Sequence, residues 1–379
     1  MKILGVNISH DTSCAVIEDG EVVSVYEEER SRRSKWWSPT DDNSNVYEDL
    51  GLLSIDHKQL HRPDLLTFAS FDRRDLKLDF KDRVLKDRVL QGELISVLSE
   101  QQLTRDRLEY IAKTYKDAIN PIHEHLHEDE LICQSIAKQC RVEKYNFIPE
   151  HHYFHAVCGS HLSPYDECIV ITWDGGGYNS HWEEYPRYQE IECIWHYKDN
   201  KVTPIWKRYS NHRFCSEIQN SFPGYGEDCI QCPDDLEVEI DGVPSVFTSL
   251  PSMGMNFSNM SYALGCDDMG RAAGKVMGMA SYGEMHPKVF SKHSVAQQLE
   301  HVSLEHSKEI IQYAIDMVPS TKNIVLSGGY SLNCTNNYKY LQAFPEYQFF
   351  VDPIPHDGGT AVGAALEEWR KLDADDTDT

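Results

Sequence analysis

No stretch of this chain approaches the roughly 20 consecutive apolar residues that span a bilayer. The opening Met1-Lys2-Ile3-Leu4-Gly5-Val6 runs straight into a strand pattern. The expectation is a cytosolic protein with no membrane partner. Positive charge is scarce: 36 basic against 61 acidic residues give a net charge of −25, which on average repels phosphate backbones and anionic membranes. Polymeric DNA or RNA is therefore not the default partner, although Arg30, Arg32, Arg33 and Lys35 form one dense basic patch. Cysteine is also sparse, 11 scattered residues, so a disulfide scaffold is excluded and reduced thiols are expected. The single C-x-x-C, Cys229 to Cys232, lacks the second ligand pair that a structural zinc site needs. Two nucleotide fingerprints are missing as well: there is no G-x-x-x-x-G-K-[ST] loop and no G-x-G-x-x-G opening a helix.

What is present is enough chain, 379 residues, for two cores. Strand patterns at Ile3 to Asn7, Cys14 to Glu18 and Glu21 to Tyr26 are joined at the second link by Asp19-Gly20. Both of those residue types tolerate positive φ, so the pair predicts a tight hairpin. Residues 75–116 turn to Leu, Lys, Asp, Glu and Arg at helical spacing, which predicts scaffold helices. A second start follows at Glu167 to Trp173, an apolar run ending in Asp174-Gly175-Gly176-Gly177. A helix near Ser307 to Met317 leads to a strand at Asn323 to Leu326 and the corner Ser327-Gly328-Gly329. A last strand, Gln348 to Val351, leads to Asp357-Gly358-Gly359 and a helix from Thr360 to Lys371. Strand-then-glycine corners of this kind let a phosphate approach backbone at the carboxyl ends of strands, and they predict an α/β, duplicated nucleotide fold. The expected division is 1–165, a first half with a helical insertion; 166–372, a second half; and 373–379, an acidic disordered tail.

The segment Glu150-His151-His152-Tyr153-Phe154-His155 carries the chemistry. On a helix, His151 and His155 stand one turn apart on one face, where two imidazoles bind one cation. Fe, Zn and Mn suit a bare pair of this spacing equally. Asp357, in a glycine corner before a helix, is well placed as third ligand, with Asp174 a candidate fourth. His123, His125 and His127 read instead as surface.

In order along the chain, the blocks Gly5-Val-Asn-Ile-Ser-His-Asp11, Asp19-Gly20, Glu27-Glu-Glu-Arg30, His151 to Ala156, Asp174-Gly175, Gly274-Lys-Val-Met-Gly-Met-Ala280 with Tyr282-Gly283, Ser327 to Asn333 and Asp357 to Ala365 resemble the O-carbamoyltransferases that decorate nodulation factors and antibiotics. The resemblance implies an α/β, duplicated ribonuclease-H-like fold of the actin/Hsp70 class, with a ligand cleft between its halves. It is similar to the threonylcarbamoyl transferase of tRNA modification, which binds Fe(II) and an adenine nucleotide. It also implies a two-step reaction, in which a YrdC-like domain makes carbamoyladenylate from carbamoyl phosphate and ATP and this fold transfers the carbamoyl group to a hydroxyl. The chain ends soon after the helix following Asp357, with no room for a YrdC-like domain, so the expectation is either a YrdC-like partner in trans that supplies the adenylate or an enzyme that handles carbamoyl phosphate unaided.

Carried over block by block, the resemblance makes His151, His155 and Asp357 metal ligands and His10 the general base. Asp11 would orient His10 or the acceptor, and Lys35 and Arg30 would meet phosphate or the carbamoyl oxygen. Gly175, Gly278, Gly328 and Gly329 would line the nucleotide, with Asn333 on ribose or base and Lys275 on a phosphate. The acceptor is a small-molecule or nucleotide hydroxyl. The basic and aromatic run Arg30 to Trp37 raises the case of a hydroxymethyl-pyrimidine nucleotide or DNA base. Two other readings stay open on sequence grounds: an actin-fold kinase or ATPase, and a non-catalytic subunit of a tRNA-modification assembly.

Overall fold

The computed structural model describes residues 1–33, 51–71, 132–178, 189–210, 235–248, 250–266, 272–285 and 291–377. The helices expected over 75–116, the histidines at 123, 125 and 127, the Cys229/Cys232 pair and Lys35 lie outside the described residues.

The first sheet is built from β1 (Lys2–Ile8), β2 (Ser13–Glu18), β3 (Glu21–Glu27), β4 (Leu65–Phe71) and β5 (Asn146–Phe147), in the order β3-β2-β1-β4-β5. The first three form an antiparallel meander, while β4 and β5 add in parallel. Asp19 at φ 51° and Gly20 at φ 85° close the β2–β3 turn, as the D-G signal requires. The second sheet contains β6 (Glu167–Gly177), β7 (Gln189–Lys198), β8 (Lys201–Ser210), β9 (Leu236–Ile240), β10 (Val243–Thr248), β11 (Asn323–Ser327) and β12 (Gln348–Val351), in the order β12-β11-β6-β7-β8-β10-β9. Its core repeats the first sheet: β6, β7 and β8 form an antiparallel meander, and β11 and β12 add in parallel on the far side of β6. The turn equivalent to Asp19-Gly20 is Asp199-Asn200, also with both φ values positive, 50° and 60°. Repetition of a five-strand order with the same mix of parallel and antiparallel pairs is the duplicated ribonuclease-H-like fold of the actin/Hsp70 class.

The helices are α1 (Glu28–Arg32), α2 (Leu53–His57), α3 (132–140), α4 (His151–Leu162), α5 (Met253–Ala263), α6 (Ala273–Ala280), α7 (Lys292–Met317), α8 (Cys334–Ala343) and α9 (Thr360–Thr377). Alternation along the central strands sends side chains to two faces. In β1, Leu4, Val6 and Ile8 meet α2 and α3, while Ile3 faces the other way. In β6, Ile169, Ile171 and Trp173 meet α5, α6 and α7, while Cys168 and Val170 face the other way. The two remaining faces share one core, filled by Ala156 and Val157 of α4 and by Ala361, Val362, Ala365 and Leu366 of α9. The two helices pack so closely that a Cβ on Gly363 would fall 2.1 Å from the Phe154 carbonyl oxygen. Helix α9 thus returns from the second half to lie on the first sheet, against β1, β2 and β4.

One local expectation needs correcting. Strand β6 does not stop at Trp173. It continues through Gly177, because one irregular step in its pairing, from Trp173↔Glu192 to Gly177↔Glu190, absorbs the glycines as a bulge. Helix α9 runs to Thr377. Extending an existing helix gains a backbone hydrogen bond per residue without a new nucleus. Among the described residues, no helix is long and apolar enough to cross a membrane.

Candidate metal centre and active site

Helix α4 starts at His151, whose backbone N–H donates to the Tyr178 carbonyl at 3.0 Å. One turn later comes His155, with its Nε2 3.2 Å from that of His151. His152 between them turns away: its Nδ1 meets Thr172 Oγ1 at 3.1 Å, and burial, then the neighbouring imidazoles, push its pKa well down, so it stays neutral. The bulge in β6 aims Asp174 at the pair, with its Oδ2 3.1 Å from His151 Nε2 and 3.9 Å from His155 Nε2. From the 3-10 turn Asp357–Gly359, Asp357 brings Oδ1 to 3.6 Å from His151 and 3.8 Å from His155. One ligand atom from each of the four residues lies within 4.8 Å of all the others.

The set fits a divalent transition metal. A cation bonded at about 2.0–2.2 Å to four tetrahedral ligand atoms holds them roughly 3.4 Å apart, close to the separations here. The two Nε2 atoms face one another at 3.2 Å, a separation met either by one Nε2–H donating to the other or by a cation bound to both. Two imidazoles and two carboxylates suit Fe, Zn or Mn. Electrostatics agree: burial would raise the Asp357 pKa, but His151, His10 and His155 outweigh it and hold it well below the usual carboxylate range. Burial lowers the His151 pKa, but Asp357 and Asp174 more than reverse this.

His10, in the β1–β2 turn, completes the centre. Its Nδ1 lies 3.4 Å from Asp357 Oδ2, the oxygen turned from the histidine pair, and its Nε2 lies 3.4 Å from Asp11 Oδ2. His356, which sequence reasoning passed over, stands on the other side of Asp11. Its Nδ1 is 3.5 Å from Asp11 Oδ2 and its Nε2 is 3.2 Å from Glu27 Oε1. Burial opposes its protonation and Asp11 and Glu27 favour it, but a ring that accepts the Gly358 N–H on Nδ1 is the neutral tautomer, with its proton on Nε2 toward Glu27. Its position next to Asp357 in Pro355-His356-Asp357 was the signal available.

The glycines have local reasons. A Cβ on Gly177 would fall 2.3 Å from the His151 ring, so that position admits the imidazole rather than a phosphate. Gly328, at φ 87°, crosses the Trp173 backbone, and a Cβ on Gly329 would fall 2.8 Å from Asp174 Oδ1, so both make room for protein atoms. Gly175 is open, its nearest neighbour being Met255 Cε at 4.0 Å.

Other expected residues are not drawn into the cluster. Arg30 is exposed, with Nε 2.8 Å from Glu27 Oε2, at the outer end of the His356 contacts. Lys275 donates to the Cys266 carbonyl at 3.2 Å on exposed surface, and Gly278 shares its helix. Asn333 was expected on ribose or base. It is buried, its Oδ1 caps α8 by accepting from Asn336 N at 3.2 Å, and its Nδ2 donates to Glu300 at 2.9 Å.

Comparison with known proteins gives a match over residues 2–318 and 291–366 to the family described as carbamoyltransferase N-terminus. An uncharacterized protein of Synechocystis sp. is 23% identical over 388 residues, covering 97% of this chain; the chain spans 57% of that relative's length. Among solved structures, the activator of the 2-hydroxyisocaproyl-CoA dehydratase from Clostridium difficile, with bound ADPNP, has a TM-score of 0.44 at 10% identity, covering 100% of this chain and 98% of that one. The T. kodakarensis HypF has a TM-score of 0.42 at 15% identity, covering 65% and 39%. The ROK hexokinase of Thermus thermophilus has a TM-score of 0.44 at 10% identity, covering 99% and 100%.

Proposed function

The chain belongs to the carbamoyltransferase N-terminus family, and from that premise we propose that it moves a carbamoyl group from carbamoyl phosphate, by way of carbamoyladenylate, to a hydroxyl acceptor. The observation that carries the reading is His10 seated against the outer oxygen of Asp357 while the inner oxygen faces the His151/His155 pair. A proton acceptor and a metal site are thereby held on one carboxylate.

His10 takes the proton from the acceptor hydroxyl as its oxygen attacks the carbamoyl carbon; an alcohol alone is too weak a nucleophile near neutral pH. The carbon–oxygen bond to the acceptor forms, and the bond to the adenylate phosphate breaks, releasing AMP. Asp11, at 3.4 Å, holds the imidazole in place and stabilises its charged form. His151, His155 and Asp357, with Asp174 as a fourth, would hold the metal, taken to be Fe(II), which would supply Lewis acidity toward a donor oxygen. ATP or the adenylate would occupy the corner around Gly175, where the bulged strand leaves backbone open. Carbamoyladenylate would be supplied by a YrdC-like activity.

The acceptor is a small-molecule or nucleotide hydroxyl. The Arg30 to Trp37 patch that raises a hydroxymethyl-pyrimidine lies, beyond Arg33, outside the described residues. A kinase or ATPase reading gains nothing from two facing imidazoles, which phosphoryl transfer with Mg²⁺ does not need.

The test is incubation of metal-loaded protein with carbamoyl phosphate, ATP, a YrdC-like protein and a panel of hydroxyl acceptors that includes hydroxymethylcytosine DNA, with mass detection of an added carbamoyl group. His10→Ala should lose transfer by about 100-fold or more while keeping its metal. His155→Ala should lose both. Transfer undiminished in His10→Ala removes the base from the mechanism, and no carbamoyl adduct on any acceptor sinks the assignment.

A further inference from the structure

We propose that His356, anchored by Glu27, is a positioning residue that fixes Asp11 and the Asp357 turn, and through them both His10 and the metal ligands. The kinetic part of this proposal rests on the transferase reading; the metal part stands without it.

His356 is the cap of the turn that carries Asp357: its Nδ1 accepts the Gly358 N–H at 3.1 Å. The ring sits against that turn: a Cβ on Gly358 would fall 2.6 Å from His356 Cε1. Its far nitrogen reaches Glu27 at the end of β3, and Glu27 is itself held on its other oxygen by Arg30. The same ring stands 3.5 Å from Asp11 Oδ2, an oxygen that also lies 3.4 Å from His10. Three separate pieces of chain, the β1–β2 turn, the end of β3 and the turn before α9, therefore converge on one imidazole.

The consequence is a division of labour over Asp357. Its carboxylate serves His10 with one oxygen and the histidine pair with the other, so rotation of the turn by a small angle misplaces both at once. A metal ligand's outer contacts set its orientation, and losing one typically costs about 10- to 100-fold in metal affinity or activity. Folding of the turn has an independent tether in Ser13 Oγ, which donates to the Gly358 carbonyl at 2.9 Å. A variant at 356 should therefore fold.

His356→Asn separates the two roles. A shorter amide still caps the Gly358 N–H but cannot bridge to Glu27. The expected result is a Tm close to that of the parent, kcat lower by about 10- to 100-fold with KM for the carbamoyl donor within about twofold, and Co(II) affinity, read from its visible absorption, lower by a similar factor. Glu27→Ala should reproduce this pattern, Glu27→Gln should restore most of it, and the double variant should be no worse than either single one. Parental kcat and Co(II) affinity in His356→Asn would reduce the residue to a cap, and multiplied losses in the double variant would show that Glu27 and His356 act apart; either result overturns the proposal. Should the parent show no carbamoyl transfer at all, the Co(II) affinities alone decide it: unchanged affinity in both single variants rejects positioning, and a shared loss supports it.

Discussion

Glu167 shows how single residues tie the second sheet together. It opens β6, and its carboxylate accepts from Ser320 Oγ at 2.6 Å and meets His196 Nε2 at 2.9 Å and Lys198 Nζ at 3.2 Å on β7. Those contacts, the Ser320 hydrogen bond first, lower its pKa from 4.5 to about 2. A carboxylate depressed on folding contributes stability above its unfolded pKa and loses it as pH falls through the folded one. Glu167→Gln should therefore be less stable than the parent at neutral pH, with the gap in denaturation midpoint closing between about pH 4.5 and pH 2. A gap that stays constant over that range would mean the charge contributes nothing. At this same scale the sequence made only part of the site legible. The His151/His155 pair follows from helical spacing, and Asp357 and Asp174 were named from their glycine corners, because each signal is local. The contacts among Glu27, Asp11 and His356 span more than 300 residues of chain, and no local pattern encodes them. Asn333 illustrates the converse: its block predicts a ligand contact, whereas the N-cap preference of asparagine at the start of α8 decides where its amide points in this structure.

At the scale of elements, the β2–β3 hairpin was legible because Asp19-Gly20 encodes its own turn, and β11 and β12 because short apolar runs precede glycines. The bulge in β6 was not, since it depends on which β7 residue each glycine faces. Nor was the return of α9 to the first sheet, which is decided by small residues meeting across long sequence separation. Gly363 is the clearest of these. A Cβ there meets the Phe154 carbonyl oxygen at 2.1 Å, and backbone on both sides leaves little room to relax. Gly363→Ala should cost about 1–3 kcal/mol or more through overpacking. Gly278, also helical, has nothing within 4 Å of its added Cβ, so Gly278→Ala should gain about 0.5–1 kcal/mol from helix propensity. Urea midpoints of the two variants check both signs. Equal effects would show that α4 and α9 are not in the close contact described.

For the whole molecule, the decisive feature is that the ligand cluster draws on α4, on β6 of the second sheet, and on the turn that launches α9 onto the first. A metal bound there joins segments that unfolding would separate, so it stabilises the native chain by mass action. At a free metal concentration 100 times Kd the gain is about 2.7 kcal/mol. An unfolding entropy of about 2.1 cal/mol/K per residue over 379 residues comes to roughly 0.8 kcal/mol/K. Stripping the metal with a chelator should therefore lower Tm by about 3 °C. The shift should be reversed by Fe(II) or Co(II) and be absent in His155→Ala. It should also move the transition of both halves together, because Asp357 and the histidine pair are held by the shared α4–α9 core. A chelator-insensitive Tm would show that no resident cation contributes to the fold, and a shift confined to one of two separate transitions would show that the cluster does not bind the halves to each other.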